Sequence, residues 1–325
     1  MNIDYSVIIR TTGKAGEKYR ALLDSIAALE PRPREVIVVL PEGYALPPEH
    51  LGWETFYFSP KGMVIQRMTG IAKCRSRYAL ICDDDVCFGP DFVEQLYTAL
   101  TAENVAFSAG PLYSFLPKAG AQALICTVMA SAPQTLFHKE RYISVLRSSG
   151  YSYNRLLDQS RTVYYESQSL PWTCFFADIK AFEQLDFEAE KWVDSHGYAA
   201  LDDQTMFYKA WLRGLKTVVV STALYEHMDA RTSTRNNKPA TLYTSTYNRV
   251  IFWHRFIYSM QKHPVMKLYS RICFEYYIAM LFAFDLLSVI RKKMALSDVA
   301  IRRKGCKDGW QYVKSEEYRG LPPVR

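Results

Sequence analysis

Short β-branched runs alternate with stretches of helical spacing over the first 110 residues. SVIIR (6–10), EVIVVL (35–40), ETFYF (54–58), YALIC (78–82) and NVAFSAG (104–110) read as strands. AGEKYRALLDSIAAL (15–29) and MVIQRMTGIAKC (63–74) read as helices. Gly89-Pro90-Asp91 opens a third, FVEQLYTAL, with proline near its first turn. Strands alternating with helices predict an α/β fold with a doubly wound, mainly parallel sheet. Residues 111–170 lose this pattern and read as an inserted loop region. Order returns at PWTCFFADI (171–179), followed by the helix-like IKAFEQL. LDDQTMFYKAWLRG (201–214) places Asp202 and Asp203 at a helix start, where acids suit the positive end of the dipole. Gly214 ends that helix, and KTVVVS (216–221) is another buried strand. From Tyr247 to Lys293 long apolar-aromatic helical stretches break near His263-Pro264.

YALIC runs directly into Asp83-Asp84-Asp85, and the chain then returns to apolar residues. Adjacent carboxylates repel, and burying even one unpaired charge is costly, so a cation is expected beside them. Ligands of open α/β sheets bind beyond the carboxyl ends of the strands. An acidic cluster there is placed to hold Mg²⁺ or Mn²⁺ through hard oxygen ligands. In an extended continuation Asp83 and Asp85 share a face, with Asp84 opposite. The plainer reading of the triplet is an acidic turn in water.

The chain has 325 residues, 49% of them apolar and 14% aromatic, enough for a sizeable core and against global disorder. Its net charge of +7 is uneven: residues 251–325 hold 14 Lys and Arg against 6 Asp and Glu. The basicity is therefore a statement about the partner of the C-terminal quarter. Seven cysteines without a CxxC pair argue against a zinc site or disulfide framework and point to a reducing compartment. The start, MNIDYSVIIRTTGK, lacks the layout of a signal peptide. ICFEYYIAMLFAFDLLSVI (272–290) is nearly all apolar, but Glu275 and Asp285 interrupt it as a spanning helix. Arg291-Lys292-Lys293 and Arg302-Arg303-Lys304 follow. An interfacial helix facing anionic headgroups fits this pattern. A homodimer interface, or a cover over the domain's own core, competes with it. Basic residues interrupted by a long apolar helix, with no recognisable binding motif, argue against nucleic acid.

Three segments together resemble the family-2 inverting glycosyltransferases with the GT-A fold. They are SVIIRTTGK, QRMTGIAKCRSRYALICDDDV and LDDQTMFYKAWLRGLKTVVVSTALYEH, which anchor roughly residues 3–230. The resemblance implies a GT-A-like domain over residues 1–245 and a basic, aromatic-rich helical appendage over 246–325. It implies transfer of a sugar from a nucleotide-diphosphate donor, UDP first among them, to an acceptor hydroxyl. Carried over by position, Asp83 and Asp84 would serve the donor and Asp85 its Mn²⁺ or Mg²⁺. Thr11 and Thr12 would lie by the nucleotide, and Arg67 would face the nucleotide or its phosphates. Asp203 matches the presumed general base, with Asp202 beside it. His227 falls where some members place a metal or diphosphate ligand; a surface-loop histidine is the plainer reading. Trp172 falls where such enzymes contact sugar, and core packing competes. Relatives carry an acid after the second strand, where only Glu42 is available here, and Met68 follows the arginine where relatives often have Asn.

A positioned base would help take the proton from a poorly nucleophilic hydroxyl. An Asp with an ordinary pKa near ~3.9 is ionised but weakly basic, and like-charge repulsion from a neighbour raises its proton affinity. Surface polysaccharide or glycolipid synthesis follows from analogy alone, with a carbohydrate or lipid-linked acceptor. The expected location is cytoplasmic or peripheral at the inner membrane face. Two alternatives stand beside this reading. Nucleotidyl transfer to a sugar phosphate would ask for a Gly-rich phosphate loop, where only Gly13 and Gly16 occur. The other is a non-catalytic sugar-nucleotide binder.

Overall fold

A computed structural model describes residues 3–112, 141–154, 157–229 and 238–325. The first half follows the predicted alternation: β1 (Tyr5–Arg10), α1 (Glu17–Ala27), β2 (Glu35–Pro41), β3 (Thr55–Ser59), α2 (Met63–Lys73) and β4 (Tyr78–Asp83). A short β5 (Val86–Phe88) comes next, then α3 (Phe92–Ala102) and β6 (Phe107–Ala109). β1 and β4 are buried along their whole length, as strands covered on both faces are.

The described part of 111–170 differs from the loop expected there. It holds β7 (Ile143–Val145), β8 (Ser152–Asn154) and β9 (Tyr164–Glu166), while residues 113–140 and 155–156 lie outside the described residues. These strands are only three residues long, too short for a period-2 pattern to register. β10 (Cys174–Asp178), α4 (Lys180–Leu185), α5 (Asp202–Leu212), β11 (Thr217–Val220) and β12 (Tyr225–His227) complete the domain.

Eight strands form one sheet in the order β3-β2-β1-β4-β10-β6-β11-β9. Only β10 and β9 run against the others. One face buries the apolar sides of α1 and α3, through Leu22, Ile26, Phe92 and Leu96. The other buries α2, α4 and α5, through Ile71, Phe182 and Phe207. The sheet is thus covered on both sides, the doubly wound arrangement. α2 lies so close to β1 that a Cβ on Gly70 would collide with Ile8. The chain moves outward from β1 through β2 to β3 and returns to β4 on the other side of β1. The β1–β4 boundary is therefore the topological switch point, where such sheets hold ligands.

Helix α6 (Lys238–Phe252) runs across the 245/246 boundary and continues as a π-helical stretch, Trp253–Tyr258. After His263-Pro264 come α7 (Pro264–Ile290) and α8 (Leu296–Tyr312). A third apolar cluster joins these helices to the sheet domain through Trp192, Tyr208, Phe252, Trp253 and Phe274. A Cβ on Gly305 of α8 would collide with the Tyr243 carbonyl of α6, so the two helices cross at small residues. The cysteines among the described residues are free thiols; Cys126 lies outside them.

Candidate active site

The acidic triplet lies at the carboxyl end of β4, beside the carboxyl end of β1. Arg10 pairs in register with Asp83 across these two strands. One Asp83 oxygen accepts from Arg10 Nε at 3.1 Å and from Arg67 Nη2 at 2.7 Å. Arg67 Nη1 donates to Asp202 Oδ2 at 3.0 Å, at the start of α5. Arg67 is only 2% exposed and stacks 4.6 Å above the Trp172 ring. One guanidinium thus ties the acid at the end of β4 to the acidic pair on α5. The resemblance places Arg67 toward the nucleotide or its phosphates; in the structure it bridges Asp83 and Asp202, and Arg10 and Arg67 together supply positive charge beside the triplet.

Asp84 is buried and accepts from Thr11 Oγ1 at 2.6 Å; the same hydroxyl oxygen accepts from the Gly13 amide at 2.9 Å. Asp85 meets His227, with Oδ1 3.3 Å from Nε2. The β12–β5 ribbon makes that meeting, since His227 pairs with Val86 and the Met228 amide donates to the Asp85 carbonyl at 2.8 Å. Among the described residues no group of three or more His, Cys, Asp or Glu is placed to hold a metal ion.

Burial disfavours the charged form of an acid, and local partners decide the outcome. At Asp83 the two arginines overcome burial and hold the carboxyl below its ordinary value. At Asp84 burial wins, and the group is pushed up to about 6. Burial would lower His227, but the hydrogen bond and charge of Asp85 hold it above its ordinary value. Asp202 is raised by burial despite Arg67. Asp203 is pushed up to about 7 by burial and by the Asp202 charge. Asp202 has the arginine; no Lys or Arg among the described residues forms an ion pair with Asp203. Asp203 thus lacks the counter-charge that Asp202 has in Arg67. Leu201, immediately before them, has φ +65°, a left-handed conformation costly for a branched side chain.

Three further placements matter. Thr12 Oγ1, Trp172 Nε1 and Arg67 Nε are buried and unpartnered among the described residues. Trp172 belongs to the core: it is 3% exposed, packs 5.3 Å from Phe187 and carries Arg67, so the core alternative describes its position. Glu42 is exposed in the turn after β2 and stands apart from the acidic network.

The sequence reading missed Arg10, Asp194 and Tyr44. Arg10 ends the first strand, and its register with Asp83 becomes visible only once β1 and β4 are paired. Asp194 accepts from the Val64 amide at 3.2 Å at the start of α2, and burial and Asp202 push it up to about 6. Tyr44 lies in the loop after β2, with Lys14 and Lys61 5.1 and 5.7 Å from its ring centre. An aromatic residue in the PEGY turn was the only signal for it.

Residues 52–154 match the family model described as Glycosyl transferase family 2, a span that includes Arg67 and the triplet but ends before Asp202. A search of the curated proteins finds no match. The fold is similar to that of S. aureus TarS residues 1–349 in complex with UDP-GlcNAc. The TM-score is 0.54 and the identity 14%, over 96% of this chain and 82% of that one. It is also similar to GalNAc-T7 with UDP, GalNAc and Mn²⁺, with a TM-score of 0.51 and 13% identity. That match covers 88% of this chain and 57% of GalNAc-T7.

Proposed function

We propose that this chain, a GT-A-fold glycosyltransferase of family 2, moves a sugar from a UDP-type donor to an acceptor hydroxyl with inversion at the anomeric carbon. The observation that carries the reading is Asp203. It is a carboxylate without an ion-pair partner among the described residues, raised to about 7, and held next to an acid that Arg67 ties to the donor-side Asp83. A base is most useful when its pKa lies near the working pH. Inversion needs one displacement, with the hydroxyl opposite the leaving diphosphate. Asp203 takes the proton as the new bond forms, and Asp202, engaged by Arg67, keeps it basic. Arg10 and Arg67 hold Asp83 ionised, so it can accept a hydroxyl of the donor. Thr11 and Thr12 face the nucleotide at the switch point, where Thr12 Oγ1 awaits a partner. The base and its diphosphate lie toward Tyr44, Lys14 and Lys61, a stacking surface flanked by cations.

The donor atoms present fit a divalent ion. Asp85 and His227 offer one carboxylate and one imidazole side by side, a set suited to Mn²⁺, and such ions complete their shells with phosphate oxygens and water. Bound there, the ion would offset negative charge on the leaving diphosphate. A carbohydrate or lipid-linked acceptor in surface polysaccharide or glycolipid synthesis, used at the inner face of the membrane, completes the reading.

Thermal shift with UDP-sugars tests it, since a ligand of the folded form raises its melting point. The wild-type protein is expected to show a Mn²⁺-dependent shift that Asp85→Ala loses. A shift that Asp85→Ala retains in full overturns the metal assignment. A product whose anomeric proton NMR signal shows retained configuration overturns the single-displacement mechanism.

A further inference from the structure

Helix α7 is apolar on two opposite faces. Its inner face is fixed to the protein: Phe274 stacks on Trp253 at 4.2 Å, and the Ser270 hydroxyl donates to the Ser148 carbonyl at 2.7 Å. Asp285 is buried against Arg302. Among the described residues its outer face has no such partners. At about 100° per residue, positions 265, 268, 272, 276, 279, 283, 286 and 290 fall on one line opposite the packed side. Every one is exposed and apolar, including Val265 at 69%, Leu268 at 61%, Ile272 at 58% and Ile290 at 77%. An outer helix face in water is normally polar.

We propose that this ridge lies in the plane of an anionic phospholipid bilayer, with the helix parallel to the surface. The inference deepens the inner-membrane part of the reading above and rests on it. The charges at the two ends of the ridge select the occupant. Lys262 and Lys267 stand at its start, and Arg291-Lys292-Lys293, all exposed, at its end. The neighbouring α8 adds exposed Arg303, Lys304 and Lys307. A second copy of the chain would bring like charges together in either orientation, parallel or antiparallel. Anionic headgroups are matched by cations at both ends of the ridge. The helix is also long and apolar enough to cross a membrane. Crossing would strip Phe274 from Trp253 and Asp285 from Arg302, and would place Glu275 in hydrocarbon, so the helix lies flat.

The test is flotation of the full chain with phosphatidylcholine vesicles, with and without equimolar phosphatidylglycerol. Binding is expected to the mixed vesicles and to be weak on the neutral ones. The triple change Arg291→Ala, Lys292→Ala and Lys293→Ala should lower the partition coefficient on the order of 10²-fold, since each cation contributes near an anionic surface. Ile272→Glu with Leu286→Glu should abolish flotation. Both variants alter exposed positions only, and each is checked by its circular-dichroism melting curve. Should the ridge variant unfold, the triple variant still decides. Equal binding of wild-type and triple variant to both vesicle types overturns the proposal. So does a vesicle-free dimer, seen by sedimentation, that Ile272→Glu dissociates. UDP-sugar thermal shift without vesicles reads the catalytic site separately, so failure here leaves that assignment standing or falling on its own data.

Discussion

Helix α5 carries two buried charge clusters about two turns apart, and they are built in opposite ways. At Lys209 the chemistry is closed. Glu190 accepts four hydrogen bonds on its two oxygens, from Lys209 Nζ and Arg255 Nη2 on one and from Trp192 Nε1 and Arg255 Nε on the other, all at 2.7–2.8 Å. Burial would raise its pKa, but the two cations hold it below the ordinary value. At Asp202 and Asp203 the chemistry is open. Five carboxylates, Asp83, Asp84, Asp85, Asp202 and Asp203, face two arginines and His227, and three of them are raised by burial. Arg67 Nε and the Trp172 Nε1 beside it are buried without a hydrogen-bond partner among the described residues. Charges that are balanced within the chain hold helices together, whereas an excess of one sign is held for something that comes from outside.

The largest expected effect breaks the open cluster at its base. Asp203→Asn should lower kcat by roughly 10²–10⁴-fold, the usual range for general-base help, while donor affinity measured by calorimetry stays within about twofold. The pH profile gives a second reading. A base must be deprotonated to act, so wild-type kcat/KM should fall about tenfold per pH unit below about 7, the value to which Asp203 is raised. That limb should vanish in Asp203→Asn. An unchanged limb in the variant places the base elsewhere.

Opening the closed cluster should act on stability. Glu190→Ala leaves Lys209 and Arg255 buried without their carboxylate. Removing one partner of a buried ion pair costs about 3–5 kcal/mol. Urea unfolding of the variant should show that loss, and the folded fraction should retain wild-type donor affinity. A loss below about 1 kcal/mol would mean that water reaches both cations, and the contrast between the clusters would disappear.

The open cluster was the more legible of the two in sequence. Asp83-Asp84-Asp85 follows an apolar strand directly, and Asp202-Asp203 opens a helix, so local pattern located both. Glu190 lies in an irregular segment, and its partners are 19 and 65 residues away, a distance no local period spans. Arg10 was hidden for the same reason: its role depends on register between β1 and β4. The main strands and helices were readable because buried β-branched runs and helical spacing are strong local signals. β5, β7, β8, β9 and β12 are three residues long and carry no period. Arg67 was singled out in sequence, but which acids it meets was not, because sequence shows that a cation is present and not its partners. The doubly apolar α7 was visible as composition, while the division into a packed face and a bare one required the fold.

Asp194 sharpens the comparison at the smallest scale, because it is open-cluster chemistry on a residue that need not touch ligand. Its carboxylate accepts from the Val64 amide, yet burial and Asp202 raise it to about 6. A folded-state pKa above the ordinary 3.8 means that the native state binds the proton more tightly than the unfolded chain. Stability is therefore greatest below 3.8 and is lost as pH rises through about 6. Asn keeps an acceptor for Val64 and carries no charge, so Asp194→Asn should relieve that loss. Against it stands the attraction of a carboxylate to the start of α2, about 0.3–1 kcal/mol. The net gain should be about 2 kcal/mol at pH 8, or about 4 °C in Tm, shrinking toward zero or below at pH 4. Glu190, whose pKa is shifted the other way, should show no such gain on neutralisation. A destabilised Asp194→Asn at pH 8 would mean that the helix-start interaction outweighs the crowding, and that the excess of carboxylates stops at Asp202.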